Sequence, residues 1–370
     1  MKSITTIMKS YYKTLALFVI MAVSLSKVQG QAIWIANNNP GAKGGVNVFT
    51  GSGAADSCIA HAVAGDIIHL VPSSISYGNL TLDKSLSLYG IGINPSKEGN
   101  RKSIVDYVYV HANNCVVSGL NVNSYVTIGA SGSPTSMSGL LIEYCTITYG
   151  IQLYSGSYSV GNLTIHNNIF NGNGTAYRIY LNYTKSSGVS ITNNIFMVDN
   201  SGYGGILVDG GASITNNIFV SNGGSSSWAF YQIDGNVIKN NVFFGTQPFG
   251  RTSTTNNTFT NNMTYGAVSN TIPIGSNGNV GDTTLANLNP KFVNVPLTVL
   301  QWNNSYDPNP QVGVSPMIGA GDDGLDVGVT GGAIPFNFNG TNLPLITSVN
   351  IPSVIIQGNT LPATIKAKGN

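Results

Sequence analysis

A short motif recurs along the chain at nearly regular intervals. It places an apolar residue, two variable residues, an asparagine, one variable residue and a second apolar residue in that order. The copies are Leu163–Phe170 (LTIHNNIF), Val189–Phe196 (VSITNNIF), Ala212–Phe219 (ASITNNIF), Val237–Phe243 (VIKNNVF) and the weaker Thr252–Phe259 (TSTTNNTF). Such a repeat indicates a solenoid, because each copy buries its apolar side chains only against its neighbours.

The asparagine position of the motif continues upstream with other residues. Ile91, Leu120 and Cys145 replace the asparagine, so the position falls at residues 91, 120, 145, 168, 194, 217 and 241, in steps of 23 to 29 residues. One coil of a parallel β-helix, with three short strands and three bends, has this length, and the leucine-dense consensus of leucine-rich repeats is missing. We therefore predict an all-β, single-stranded, right-handed parallel β-helix of about eight coils.

The repeated asparagines are expected to point inward at a bend, where asparagine tolerates a left-handed backbone. Their amides would then bond from coil to coil as an asparagine ladder. The predicted ladder residues are Asn168, Asn194, Asn217 and Asn241. Leu120 and Cys145 would continue the column without hydrogen bonds. The alternative interpretation makes the asparagine pairs plain exposed turns.

Residues 1–30 have the features of a secretory signal peptide. Lys2, Lys9 and Lys13 form a positive start, an apolar run covers Leu15–Leu25, and small residues precede a cleavage site near Gly30. The apolar run is too short to span a bilayer as a helix. We expect a secreted protein, at the cell surface, in the periplasm or outside the cell, with no membrane span in the mature chain. An uncleaved anchor is the alternative.

Charge excludes one class of partner. Only 8% of the residues are charged, against about 25% in ordinary soluble domains. The chain has 16 basic and 14 acidic residues, and loss of four lysines with the signal peptide would leave 12 basic residues against 14 acidic ones, a formal charge of −2. Such a chain has no electrostatic footprint for nucleic acid. We expect no nucleic-acid partner and a monomer.

The scattered cysteines Cys58, Cys115 and Cys145 do not make a disulfide framework. We expect all three to be buried as small apolar residues, with a Cys115–Cys145 bridge as the alternative. No cluster of histidine and cysteine with metal-ligand spacing occurs in the sequence. His166 occupies a variable position of the repeat and is expected to be exposed.

The segment Asp56–Val71 (DSCIAHAVAGDIIHLV) resembles the amino-terminal cap of pectate-lyase-like β-helix proteins. In that family a short amphipathic helix ends in Ala-x-x-Gly-Asp before the first strand. The resemblance implies a cap helix near residues 56–63, in which Ile59, Ala62 and Val63 cover the open core. Asp66 would begin the following turn, and both Asp66 and His61 are expected to be structural.

Three downstream segments resemble the closing part of bacterial members of this superfamily. They are Asn289–Asn294 (NPKFVN), Ser315–Gly321 (SPMIGAG) and Asp326–Gly332 (DVGVTGG). The resemblance implies a β-helix with caps over residues 31–336. Residues 337–370 are predicted to form a C-terminal β-hairpin tail, with strands at Ile346–Ile351 and Leu361–Ala367.

The resemblance also implies a substrate groove along the outward face of one set of strands. The matching strands are Gly150–Tyr154, Arg178–Asn182, Gly205–Asp209 and Tyr231–Asp234. Side chains in a strand alternate between faces. The expected inward residues are Leu153, Leu181, Val208 and Ile233. The two outward columns are Tyr154, Asn182, Asp209 and Asp234, and Gln152, Tyr180, Leu207 and Gln232.

Asp209 and Asp234 would lie on adjacent coils, whose backbones are about 4.8 Å apart. One interpretation is a catalytic pair for glycoside cleavage, which needs two carboxyl groups about 5 to 9 Å apart. Arg178 would then stabilise or deprotonate a uronate, as the resemblance to the lyases implies. A second interpretation is a Ca²⁺ site with Asn182 as a further oxygen ligand. In the third, both aspartates only end strands at Asp-Gly turns.

Aromatic residues flank the same strands and suggest contact with sugars, since tyrosine and tryptophan combine a flat apolar ring with a polar tip. The candidate substrate-binding residues are Tyr154, Tyr180, Asn182, Gln232, Trp228 and Tyr231. Some of these rings could instead cover the bases of loops.

The sequence therefore favours a secreted β-helix that interacts with a polysaccharide or cell-surface glycan through an outward strand face, without strong catalysis. The alternative is a polysaccharide lyase or glycoside hydrolase that uses Asp209, Asp234 and Arg178. No cofactor is implied, apart from Ca²⁺ as an alternative. Ice binding ranks third, because no regular Thr-x-Thr array occurs in the sequence.

Overall fold

The strands of the chain stack as successive coils in a computed structural model. It describes residues 30–94, 100–132, 134–172, 177–181, 187–199, 202, 205–221, 223–250, 254–299, 301–338, 345–350 and 364–368. Most of the predicted signal peptide (residues 1–29) and Asn182 lie outside these ranges. Neighbouring strands pair in parallel within three long sheets. The fold is a parallel β-solenoid of about eight coils, as predicted.

The central coils contribute one strand to each of the three sheets, and the first sheet extends further at both ends. We number the sheets in the order in which the chain enters them within a coil. The first sheet has twelve strands: Val48–Thr50, Ile33–Asn37, Ile67–Leu70, Ser87–Tyr89, Val116–Ser118, Ser136–Glu143, Ser159–His166, Val189–Thr192, Ala212–Thr215, Val237–Lys239, Thr258–Thr260 and Val280–Gly281. The third sheet has eight: Ile104–Val105, Asn121–Val122, Thr146–Ile147, Ile169–Phe170, Ile195–Met197, Ile218–Val220, Val242–Phe244 and Met263–Tyr265.

The second sheet carries the candidate functional face. Its strands are Asn79–Leu82, Tyr107–Val110, Tyr125–Ile128, Gly150–Leu153, Ile179–Leu181, Ile206–Asp209, Trp228–Asp234 and Gln247–Phe249, with Thr254–Thr255 also paired to Trp228–Asp234. Two antiparallel pairs lie outside the coils. They are Phe292–Asn294 with Asp307–Pro310, and Leu345–Asn350 with Thr364–Lys368.

One continuous apolar core runs through the coils. The phenylalanine of the repeat points inward, and Phe170, Phe196 and Phe219 stack with ring centroids 4.6 and 4.7 Å apart. All three rings are fully buried. Burial of each such side chain contributes about 1.5–3 kcal/mol relative to exposure. The repeat predicts this stacking of equivalent residues, because the apolar side chains of each coil pack against those of the next coil.

The helix at the amino-terminal end spans Ala54–His61 and buries Ala54, Ala55, Cys58 and Ile59. Asp66 is buried, and its Oδ2 accepts hydrogen bonds of 2.9 Å each from the backbone N–H of Val63 and Nε1–H of Trp34. Val63 was expected to cover the core, but it is exposed. The helix has ended by Ala62, whose backbone is extended, and this turns the next side chain outward.

The repeated asparagines stack inside the solenoid. Their Nδ2–H groups donate to Oδ1 of the next asparagine at 3.0 to 3.1 Å, and all are fully buried. The stacked residues are Asn168, Asn194, Asn217, Asn241 and Asn262. Each amide therefore makes a hydrogen bond from one coil to the next. A buried amide without such a partner would lower the stability of the fold.

The residue before each stacked asparagine, and not the stacked residue itself, takes the left-handed backbone conformation. Asn167, Asn193 and Asn216 have φ values of 55°, 53° and 55°. The expectation that the inward asparagine adopts this conformation is therefore wrong. The bend needs a left-handed residue, and asparagine tolerates it better than other residues with a Cβ.

The motif copy at Thr252–Phe259 is out of step with the others. Phe259 pairs with Ile238 in the first sheet, so Asn257 stacks on Asn236 at the other end of these strands. Asn262 occupies the position that follows Asn241. Asn236, Asn257 and Asn279 thus form a second, shorter column, with Nδ2 to Oδ1 distances of 3.3 and 3.1 Å.

The upstream end of the long column also differs from the expectation. Cys145 is fully buried and its Sγ accepts a hydrogen bond from the backbone N–H of Leu120 at 3.4 Å, so this column is not free of hydrogen bonds. Ser103, and not Ile91, holds the next position, since its carbonyl accepts the Asn121 N–H at 2.9 Å as the equivalent carbonyls do in later coils. The three cysteines are free and buried.

Residues 315–338, which we call the C-terminal strap, pack along the outer face of the third sheet. Apolar strap residues such as Met317, Val329 and Phe336 form a second core with outward residues such as Ile218 and Val242. The strap is held by the left-handed asparagines of successive coils. They are Asn167, Asn193, Asn216, Asn240 and Asn261, each bonded to strap residues.

Candidate functional site

The outward face of the second sheet brings side chains from successive coils into register. Its central column is Thr81, Tyr109, Thr127, Gln152, Tyr180, Leu207 and Gln232. Neighbours in this column are separated by the spacing of paired strands, about 4.8 Å. The inward residues of the same strands, Leu153, Leu181, Val208 and Ile233, are buried as predicted.

Aromatic rings dominate this face. Stacked pairs have centroid distances of 5.1 to 5.7 Å, and Trp228 lies 6.1 Å from Tyr231. The stacked pairs are Tyr107 with Tyr109, Tyr125 with Tyr149, and Tyr177 with Tyr180. Tyr149 and Tyr154 are exposed by 40% and 50%, while the other rings of these pairs and those of Trp228 and Tyr231 are half-buried.

Leu207 belongs to the outward column but is buried. The rings of Tyr177 and Tyr231, which flank its coil on either side, meet edge to face with centroids 5.2 Å apart. These two rings therefore bridge the coil that carries Leu207 and make the aromatic surface continuous across it. Tyr158, in contrast, is buried and donates to the carbonyl of Ala130, so it supports a loop.

Arg178 does not lie on the outward face. It is 1% exposed, and its guanidinium donates to the carbonyls of Met197, Tyr149 and Gly172 at 3.0, 3.3 and 2.7 Å. Its Nη2 lies 3.7 Å from Oδ2 of Asp199. Burial lowers the pKa of Arg178, and Asp199 opposes that shift. The expected contact between Arg178 and a uronate is wrong for this structure, because the side chain fastens one coil to its neighbours.

The aspartates of the outward face lie on adjacent coils. Asp209 and Asp234 are register partners on neighbouring parallel strands. Oδ1 of Asp234 accepts hydrogen bonds from Oγ1–H of Thr255 and, at 2.9 Å, from Nδ2–H of Asn256. The Asp209 side chain lies outside the part of the chain whose side chains are described, as does all of Asn182. The backbone pairing fits the expected spacing of the two aspartates.

Sequence reasoning missed three residues of this face, Tyr107, Tyr109 and Tyr125. Tyr107–Val110 (YVYV) and Tyr125–Ile128 (YVTI) alternate with period two, and their valines at positions 108 and 126 are buried. This alternation was the signal that could have extended the aromatic row upstream.

A buried polar cluster on the first sheet lies away from the aromatic face. Nε2 of His166 is 2.9 Å from Oε2 of Glu143, and Nδ1 of His166 is 2.9 Å from Nδ2 of Asn167. The ring of Tyr144 packs edge-on against the imidazole. His166 is therefore buried, contrary to expectation, because residues of the neighbouring coil and the adjacent asparagine enclose it.

Among the described residues, no three histidine, cysteine or acidic side chains lie close enough together to hold a metal ion. A cavity of about 280 Å³ lies on the third-sheet side, where its lining includes Trp302, Asn171 and Lys102. Within the described ranges no helix is long and apolar enough to cross a membrane.

Comparison with known proteins does not assign the chain to a family. No protein-family model matches the sequence, and no curated protein matches it significantly.

Proposed function

We propose that this chain is a secreted β-solenoid that binds a polysaccharide or cell-surface glycan through the aromatic face of the second sheet, without strong catalysis. The observation that carries the proposal is the placement of aromatic rings on or beside five of six consecutive strands, between Tyr107 and Tyr231, on one outward face. The sixth strand, Ile206–Asp209, has Leu207 at the outward position. Half-buried and exposed rings of this kind offer apolar area for sugar rings and hydroxyl groups for polar contacts.

The polar residues of the central column support the same function. Gln152 and Gln232 lie in register with Tyr180 and Leu207, and Nε2 of Gln152 donates to Oγ1 of Thr127 at 3.3 Å. Amide side chains both donate and accept, so they match sugar hydroxyls, which do the same. Since these residues sit on strands, the sheet holds their positions with little loss of entropy on binding.

A panel of soluble and insoluble polysaccharides tests the proposal, with retention and equilibrium binding as the readouts. Tyr154→Ala and Tyr180→Ala are expected to weaken binding of the glycan that the wild type retains. Tyr89→Ala is the matched control, because Tyr89 lies on the first sheet beside His69. Retention of no glycan by the wild type, or equal losses in all three variants, would reject the aromatic face as the binding site.

Secretion is part of the proposal and rests on the features of residues 1–30. Expression of the full chain in a secreting host followed by amino-terminal sequencing tests it. Processing near Gly30 supports it, and an intact amino terminus on a cell-retained protein speaks against it.

The second candidate function is cleavage of a glycan, for which the register of Asp209 and Asp234 is the specific observation. Arg178 is left out of this candidate, because it is buried and bonded to backbone carbonyls. Assays for new reducing ends and for unsaturated products distinguish a hydrolase from a lyase. Activity that is lost in Asp234→Asn and kept in Tyr89→Ala would favour catalysis, whereas intact polysaccharide would favour binding alone. Calcium titration of the same variants tests the Ca²⁺ alternative.

A further inference from the structure

We infer that the aromatic face takes an uncharged, extended polysaccharide that lies along the solenoid axis, in the manner of a β-1,4-linked glucan, mannan or xylan. This inference rests on the proposed function and names the ligand class of the same face. Three observations support it: the direction of the aromatic row, its pitch, and the distribution of charge on the strands.

The row runs along the solenoid axis. It crosses six consecutive strands of the second sheet, which contain, in order, Tyr107, Tyr125, Gly150, Ile179, Ile206 and Phe230. Six strands give five steps of about 4.8 Å, or about 24 Å in all. A ligand that touches rings at both ends of the row must therefore be a chain of several sugars and must follow the axis.

The pitch of the coils matches a straight sugar chain. One residue of a fully extended β-1,4-linked chain is about as long as one coil is high, so successive sugars meet equivalent positions on successive coils. An α-1,4-linked glucan coils instead and leaves a straight row after a few residues. Because a rigid, repeated surface gains affinity from many equivalent contacts, it favours the straight chain.

The charge of the face disfavours acidic polymers. The strands of the second sheet contain no lysine or arginine, and their acidic residues are Asp209 and Asp234. Arg178 adjoins one strand but is buried and directs its guanidinium at carbonyls and Asp199. Recognition of carboxylates generally uses arginine or lysine, and like charges repel. On the described strands of this sheet, a uronate on every sugar would thus meet only neutral or acidic side chains.

The polar groups that remain suit hydroxyls. Thr81, Gln152 and Gln232 share the central column with Tyr109 and Tyr180, and the buried Thr127 accepts a hydrogen bond from Gln152. A neutral sugar presents hydroxyls at the edges of its ring and C–H groups on its faces. The column offers both hydrogen-bonding groups and aromatic carbon along the axis.

Equilibrium binding of defined oligosaccharides to the full mature chain tests the inference. The probes are cello-, manno- and xylo-oligosaccharides of two to eight sugars, maltohexaose and oligogalacturonides. We expect affinity to rise at least about tenfold from two to about six sugars and then level off. Maltohexaose and oligogalacturonides are expected to bind at least about tenfold more weakly, and added salt should leave the affinity for neutral chains unchanged.

Variants at the two ends of the row test its direction. Tyr109→Ala, on the first strand of the row, and Tyr231→Ala, on the last, should each reduce binding of the longest neutral chains while leaving the affinity for disaccharides nearly unchanged, and Tyr89→Ala should alter neither. Tightest binding of oligogalacturonides, or a strong fall of affinity with salt, overturns the neutral ligand while the proposed glycan binding stands. Absence of binding to every glycan removes the proposed function and this inference together.

Discussion

The side-chain N–H of Asn194 donates to Oδ1 of Asn217 at 3.1 Å, and the backbone N–H of Asn194 donates to the same oxygen at 2.9 Å. Nδ2 of Asn194 also donates to the carbonyls of Ile165 and Thr192 at 2.8 and 3.0 Å. One buried amide therefore satisfies polar groups of three coils. This connection lets the chain turn from the first sheet to the third at the bend without leaving buried backbone groups unpaired.

Asn194→Ala is expected to lower the free energy of unfolding by about 2–3 kcal/mol, because it leaves buried donors and acceptors in adjacent coils without partners. Chemical denaturation followed by circular dichroism measures the change. Ser213→Ala on the exposed first-sheet surface is the control and should change stability by less than about 0.5 kcal/mol. Equal stabilities for the two variants would show that the stacked amides contribute nothing.

The strap depends on the left-handed asparagines. Nδ2 of Asn193 donates to the carbonyls of Val329 and Gly331 at 2.9 and 2.8 Å, and its φ is 53°. Asn193→Gly keeps the backbone conformation and removes both bonds, so we expect faster proteolysis within residues 315–338 with the coils intact. Asn193→Ala adds backbone strain of about 1 kcal/mol. Unchanged cleavage in both variants would contradict this role of Asn193.

Arg178 is expected to matter for stability rather than for glycan recognition. Arg178→Met removes a buried cation that bonds to three carbonyls and faces Asp199, and we expect a loss of about 3–5 kcal/mol in unfolding free energy. The folded fraction of this variant should bind glycans as the wild type does. A stable variant that has lost glycan binding would instead place Arg178 in the binding site.

The buried thiols predict weakening at alkaline pH. Burial raises the pKa of Cys145 from 9.0 to about 12 and that of Cys58 to about 11. A raised folded-state pKa means that the neutral thiol stabilises the fold fully below pH 9, and that this contribution is lost as the pH rises from 9 towards 12. Unfolding free energies across that range should fall less steeply in Cys145→Ala than in the wild type. Parallel curves of unfolding free energy against pH for the two proteins would contradict a raised pKa of Cys145 in the folded state.

The repeat made the coils predictable, because register within a solenoid follows directly from equivalent positions in successive copies. The alternation of Gln152 and Leu153 predicts which side chain enters the core, and Leu153 is buried. The geometry of the bend was harder to predict, because the sequence does not distinguish the two neighbouring asparagines of each pair. Only the backbone shows that Asn193 takes the left-handed conformation and that Asn194 stacks.

The strap could have been inferred from an overlooked signal. Ile195–Met197 and Ile218–Val220 are apolar at every position and buried at every position. A strand without alternation is buried on both faces, so a further layer must cover its outer side. Which segment supplies that layer depends on contacts across more than 100 residues, such as Asn193 with Val329, and no local pattern reports them.

Arg178 shows the limit of local reasoning at the candidate site. Its position beside a predicted groove strand suggested an outward cation, but Met197, Gly172 and Asp199 from its surroundings enclose it. A buried cation needs such partners, and sequence order does not reveal when they converge. The aromatic row was easier to anticipate, since tyrosines on outward strand positions share one face.

The affinity of a Tyr154→Ala, Tyr180→Ala double variant for the glycan that the wild type binds is the decisive measurement for the aromatic face. We expect a loss of at least about tenfold, with the thermal midpoint of unfolding and the affinity of Tyr89→Ala both close to wild type. An affinity in the double variant equal to that of the wild type would contradict the assignment of the aromatic face as the glycan-binding surface.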